Sequence, residues 1–244
     1  MRSGTQFCPG CGQALVASAV APERNAARLS SARFIEYWGE LKRLGWLFGL
    51  LLATSFAFGI AWRSAPSPWL DVIASTIDAV IVLVAVALRY RKLRFLFQLR
   101  PSGLRDSAAL VGIAFLFVAL ASAYFWAIEL LGVPLASMTT TFTRAGWPLW
   151  TAFLLLSVMP AVFEELAFRG VIQSSLERIL NARDAWLIQA ALFSVLHLSP
   201  LMFPSHFLMG LCFGYMRRRS RSIYPGMLLH ACWNALVVLK ELYL

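Results

Sequence analysis

Three sets of polar side chains interrupt the apolar second half of this 244-residue chain. The first is Glu164 and Glu165 with Arg169, at the end of an apolar run that starts near Trp147. The second is His197, and the third is His230 with Asn234. A charged side chain near the centre of a bilayer costs about 2.5–3.5 kcal/mol on insertion scales, less where it snorkels toward an interface. A segment as apolar as 148–163 gains nothing structural from ending in two carboxylates, so a task or a partner is the first hypothesis for them. Residues four apart share a helix face, which aligns His230 with Asn234 and Glu165 with Arg169. Glu164 is rotated from Glu165 by about 100°. One glutamate can then face the interior while the other pairs with Arg169. The expected picture is a polar cluster of Glu164, His197, His230 and Asn234 inside a helix bundle.

Such a set suits peptide hydrolysis by water, which needs a base for the water and donors for the developing oxyanion. Glu164 suits the base. His197 and Asn234 can donate to the oxyanion, and His230 can orient the water or protonate the leaving amine. The same residues offer a second route. Glu164, His197 and His230 with a water would make a tetrahedral zinc site, with the other glutamate as base. No His-Glu-x-x-His run is present, which weighs toward the metal-free route without closing the other.

The elements that must carry these residues are membrane helices. The chain is 59% hydrophobic and 14% charged, against about 25% charged residues in a soluble domain. Seven apolar segments, each about the length of a span, fall near 44–62, 69–88, 108–131, 147–168, 185–199, 202–216 and 223–243. The fifth and sixth are short, with a tight turn expected between them around Pro200 and Pro204. The expected fold is an all-α, polytopic transmembrane bundle of about seven spans. Its parts are a tail at 1–33, N-terminal membrane helices at 34–146 and a catalytic core at 147–244. A short interfacial helix is expected over 34–43.

Charge fixes an orientation. All but Arg63, Arg144 and Lys240 of the 22 lysines and arginines lie in segments 1–43, 89–107, 169–184 and 217–222. Such asymmetry places those segments, and the N-terminus, in the cytoplasm and the C-terminus outside. It also explains the formal charge of +10 without a nucleic-acid partner. Arg217, Arg218, Arg219 and Arg221 are first a topology signal and only secondarily a lipid or substrate contact. Glu129 reads as an interfacial residue at the outer end of the third span. Gly210 and Gly214 read as packing positions and His206 as a helix–helix hydrogen bond. Ser194 is expected to satisfy its hydroxyl on the helix backbone. Cys212 and Cys232 read as small apolar core residues.

The N-terminal run Cys8-Pro9-Gly10-Cys11 resembles one knuckle of a zinc ribbon. No second Cys-x-x-Cys follows, so Cys8 and Cys11 make a half zinc site that a second chain would complete, or else a vestigial tail. Residues 14–31 read as a linker.

Taken together, Glu164-Glu165-x-x-x-Arg169, Phe193-x-x-x-His197 and His230-x-x-x-Asn234 resemble the three signature motifs of the CAAX protease and bacteriocin-processing family (CPBP, or Abi) of intramembrane proteases. The glycines Gly210 and Gly214 and the basic turn 217–221 continue the likeness, which covers roughly residues 147–240. It implies peptidase activity and a site open to the cytoplasm. It also implies Glu164 as activating base, with Glu165, His197, His230 and Asn234 in the site and Arg169 in support. Catalysis in that family is described both as glutamate-dependent and as metal-dependent. The partners implied are membrane lipids and a peptide or protein substrate, lipidated in the family's namesake case. The rival expectation is a non-catalytic membrane protein, a bacteriocin self-immunity or scaffold factor, that keeps the cluster for packing.

Overall fold

The computed structural model describes residues 6–7, 14–15, 20–99, 104–135 and 137–243. Cys8 and Cys11 lie outside the described residues, and with them the expected half zinc site. Two two-residue strands, β1 (Gln6–Phe7) and β2 (Ala14–Leu15), pair antiparallel on either side of them in sequence. The other described elements are helices, as the apolar periodicity demands. They are α1 (Val20–Ser64), α2 (Pro68–Leu93), α3 (Leu104–Leu130), α4 (Thr140–Arg144), α5 (Leu149–Ile179), α6 (Ala182–Leu196), α7 (Phe203–Ser220) and α8 (Tyr224–Tyr243). A 3₁₀ turn, Arg94–Phe97, follows α2.

Two expectations change here. Helix α1 is continuous from Val20, so most of the expected linker and the separate interfacial helix at 34–43 are one rod with the first span. Among the described residues four helices, rather than seven, are long and apolar enough to cross a membrane: Arg33–Ser64, Pro68–Phe97, Asp106–Leu130 and Leu149–Ile179. At 1.5 Å per residue, the 15 residues of α6 reach only about 22 Å, short of the roughly 30 Å hydrocarbon core. Helix α7 ends in Arg217–Arg219, and α8 carries His230, Asn234, Lys240 and Glu241, which lower their hydropathy. The protein is nonetheless an integral membrane protein on four of its first five helices, α1, α2, α3 and α5.

The basic segments meet at one end of the bundle. The buried carboxylate of Glu40 on α1 is surrounded by Arg89 and Lys92 of α2 and Arg178 of α5. Arg219 pairs with Asp106 at 2.7 Å, and Arg217 with Glu177 at 2.6 Å. All four Lys/Arg-rich segments thus share an end. At the opposite end Lys240 pairs with Glu129, and Glu241 Oε2 accepts from the backbone N–H groups of Met138 and Thr139 at 2.9 and 3.0 Å. Trp69 and Trp147 meet edge to face at 5.0 Å. The turn between α6 and α7 lies below that end, because Tyr124, six residues before the end of α3, donates its hydroxyl to the Leu201 carbonyl.

Gly210 and Gly214 are packing positions, as expected. A Cβ at Gly210 would sit 2.6 Å from Ala190 Cα, and one at Gly214 would sit 2.5 Å from Gln189 Nε2. The α6–α7 hairpin therefore closes backbone against backbone. Gly210→Ala is expected to destabilise the protein by about 1–3 kcal/mol, read as a lowered unfolding temperature in detergent.

Candidate active site

Helix α5 carries both glutamates, and it is not a regular α-helix. Pro160 has no N–H to give the carbonyl one turn back, and its ring crowds that carbonyl. The stretch before it, Leu154–Val158, widens to i→i+5 hydrogen bonding, a common relief and a frequent companion of functional sites. A second wide stretch, Glu165–Ile172, follows the glutamates and is buried throughout. The helix was expected to end near Phe168, with the glutamates at its cytoplasmic tip. It runs on to Ile179, which leaves Glu164 midway along it. Arg169, Gln173, Ser174 and Ser175 continue it as buried polar residues, each with a partner in the protein, so nothing polar faces lipid to stop it.

Glu165 and Arg169 form the expected pair, Oε1 to Nη1 at 3.0 Å, with both side chains fully buried. Arg169 Nη2 donates to the Met209 carbonyl at 3.3 Å, and the guanidinium lies over the Phe193 ring, 4.4 Å from its centroid. Glu165 is more than the ion-pair partner that spacing suggested. Its Oε1 also lies 3.2 Å from His230 Nδ1. Glu165 Oε1 faces the Arg169 guanidinium and accepts from His230 Nδ1, which leaves Nε2 free for chemistry. That Nε2 points to Glu164 Oε2 at 3.9 Å. The imidazole therefore bridges the two carboxylates: one buried and pinned, the other partly exposed at 27%. Ser157, in the first wide stretch, donates to the Ala231 carbonyl at 2.8 Å and locks α5 to α8 beside the site.

Gly226 makes room for this arrangement. A Cβ there would approach Glu165 Oε2 to 2.9 Å, and Glu165 cannot swing aside while Arg169 and His230 hold it. Gly226→Ala is expected to tilt His230 off Glu164 and slow turnover by at least about tenfold, since small misplacements of catalytic groups are costly. A peptide-cleavage rate compared with wild type at equal expression measures it.

His197 reaches the level of the glutamates because α6 doubles back. From Glu164 to the end of α5 is one residue more than α6 has, so the returning chain comes back to about the level it left. Its position is still offset from the expected cluster. His197 Nδ1 is tied to the Phe193 carbonyl at 2.9 Å, and its ring lies against that of His206, tilted by 43° with 3.8 Å between centroids. Neither glutamate contacts it among the described residues, although His230 and Arg169 are within its electrostatic reach. Asn234 is half-buried one turn beyond His230 and has no hydrogen-bond partner among the described residues. The structure thus gathers Glu164, Glu165, Arg169 and His230. It leaves His197 and Asn234 at the margin.

Phe193 organises the centre. Its ring lies 5.0, 6.0 and 6.2 Å from those of His197, His206 and His230. His206 was expected to bond across helices; instead its Nδ1 is tied to Met202 O one turn back, and its ring lies tilted against His197. Composition gives no sign of that contact, because it forms only when the α6–α7 turn folds over. Ser194 bonds not to its own helix but to the Phe203 carbonyl of α7, at 3.2 Å. Cys212 is buried as expected, whereas Cys232 is exposed on α8.

For a metal, the expected donors were Glu164, His197 and His230. Among the described residues no group of three His, Cys, Asp or Glu side chains comes close enough to hold an ion. His197 is spent on His206 and Phe193, so the donor set does not assemble in this arrangement.

No curated protein and no solved structure matches the chain. A family model does, over residues 145–236, nearly the stretch on which the motifs were read. That stretch carries every residue of the cluster, and over it the chain is similar to the Rce1-like family of type II CAAX prenyl endopeptidases.

Proposed function

We propose that the protein is an intramembrane endopeptidase, with Glu164 activating the water that attacks a peptide bond near the cytoplasmic face. The observation that carries this reading is His230 held between two unequal glutamates, within the segment that matches a protease family. Arg169 pins the Glu165 carboxylate, and Glu165 fixes the His230 tautomer. Nε2 is then free to hold the nucleophilic water against Glu164. After attack, Glu164 gives up the proton it took from that water, and His230 Nε2 relays it to the leaving amine, as general acid–base catalysis requires. Asn234, on the same face of α8, is one turn away for the oxyanion. No step is routed through a metal, because the donors do not assemble.

The shared basic end of the bundle supports a cytoplasmic N-terminus. It also supports a substrate that approaches the site from that leaflet. A prenylated peptide ending in a CAAX sequence is the first substrate to try. Protein reconstituted in liposomes should release the terminal tripeptide from it, and the Glu164→Gln protein should not. Equal cleavage by both would sink the role given to Glu164, and cleavage by neither would favour a non-catalytic immunity or scaffold role.

A further inference from the structure

The basic end of the bundle contains a pocket that the peptidase reading does not use. It has a volume of about 230 Å³ and is lined by Phe95, Leu96, Glu177, Arg217, Arg218 and Arg221. The first of these arginines is structural. Buried Arg217 gives both carboxylate oxygens of Glu177 a hydrogen bond from Nη1, at 2.7 and 2.6 Å, and gives Ser174 one from Nη2 at 2.6 Å. Its charge and that of Glu177 answer each other.

The other two are a surplus. Arg218 and Arg221 are exposed, and among the described residues neither forms an ion pair. Arg218 Nη1 rests on the Ala182 carbonyl at 3.2 Å, which aims the rest of its guanidinium at the pocket rim. Arg221 ends α7 in the left-handed conformation, φ 54°. A glycine would hold that turn without the penalty of roughly 1–2 kcal/mol that an L side chain meets there. Arg219, between them, turns away to Asp106.

The apolar wall identifies the ligand's setting. Phe95 and Leu96 belong to the turn that closes the candidate span Pro68–Phe97, so the pocket opens where hydrocarbon gives way to headgroups. Two guanidiniums in excess of one satisfied carboxylate, over an apolar floor, match a phosphate on an acyl chain. Guanidinium forks bind phosphate through paired charged hydrogen bonds.

We infer that the pocket between the 3₁₀ turn after α2, the end of α5 and the end of α7 binds the phosphate of an anionic phospholipid of the inner leaflet. Neither exposed arginine touches the Glu164–His230 site, so this assignment stands apart from the proposed chemistry.

Native mass spectrometry of the purified full chain in detergent tests it, with phosphatidylglycerol, phosphatidylcholine and inorganic phosphate as probes. Wild type should retain phosphatidylglycerol in preference to phosphatidylcholine. Arg218→Gln and Arg221→Gln should each weaken that retention about fivefold, and the double variant about 25-fold, if each surface arginine contributes its usual attraction. Equal retention of the two lipids by wild type would overturn the inference without any variant. So would undiminished phosphatidylglycerol binding in the double variant. Displacement of the lipid by millimolar inorganic phosphate would reassign the pocket to a free anion and overturn the lipid assignment.

Discussion

Glu164→Gln is expected to lower the rate of peptide cleavage by about 10²–10⁴-fold, the usual contribution of a positioned general base. The substitution keeps the side chain's volume and removes its ability to take a proton. Glu164 is partly exposed and makes no close ion pair, with His230 Nε2 3.9 Å away, so little stability depends on it. The unfolding temperature should therefore stay within a degree or two of wild type. That pairing of outcomes separates a catalytic from a structural carboxylate. A single-turnover assay on a fluorescent prenylated peptide, run beside thermal unfolding of the same preparation, reads both. Retained activity would mean that the water is activated elsewhere.

Arg169→Ala should show the converse, a loss of the fold itself. It leaves Glu165 as a fully buried carboxylate, with the Met209 carbonyl unpaired and a void against Phe193. Breaking a buried ion pair by removing one partner costs about 3–5 kcal/mol. Arg169→Lys should recover only part of this, because an ammonium cannot reach Glu165 and Met209 together and lie flat on an aromatic ring. The double variant Glu165→Gln/Arg169→Met, which removes both charges, should be more stable than Arg169→Ala and still inactive, since the partner that orients His230 is gone. Unfolding temperatures of the three variants in one detergent decide the matter. A double variant no more stable than Arg169→Ala would show that the buried charge is not the source of the loss.

Much of this protein is legible along the chain. Apolar length announces the membrane helices, because a bilayer leaves few ways to satisfy a backbone. The alternation of basic loops groups residues that the folded chain does bring to one end, as Glu40, Arg89 and Arg178 show. Helical spacing places Glu165 with Arg169, and the costly charges mark the site, since apolar helices gain nothing by carrying them. Other expectations depended on a regular helix and a simple count of depth. Those expectations changed: α5 passes straight through Arg169, and α6 is too short to cross.

Sequence by itself singled out Glu164, Glu165, Arg169 and His230, which the fold brings together, because burying a charge without a partner is too expensive to happen idly; it also expected His197 and Asn234, which stay at the margin. It could not say which glutamate would hold His230, or that His197 would lie against His206 instead. Those outcomes turn on the wide turns of α5, on the return of α6 to mid-depth and on the space left by Gly226. Each is a matter of ångströms between helices that are distant in sequence. Only the packed bundle sets such distances, since local spacing constrains a helix face and never its neighbour.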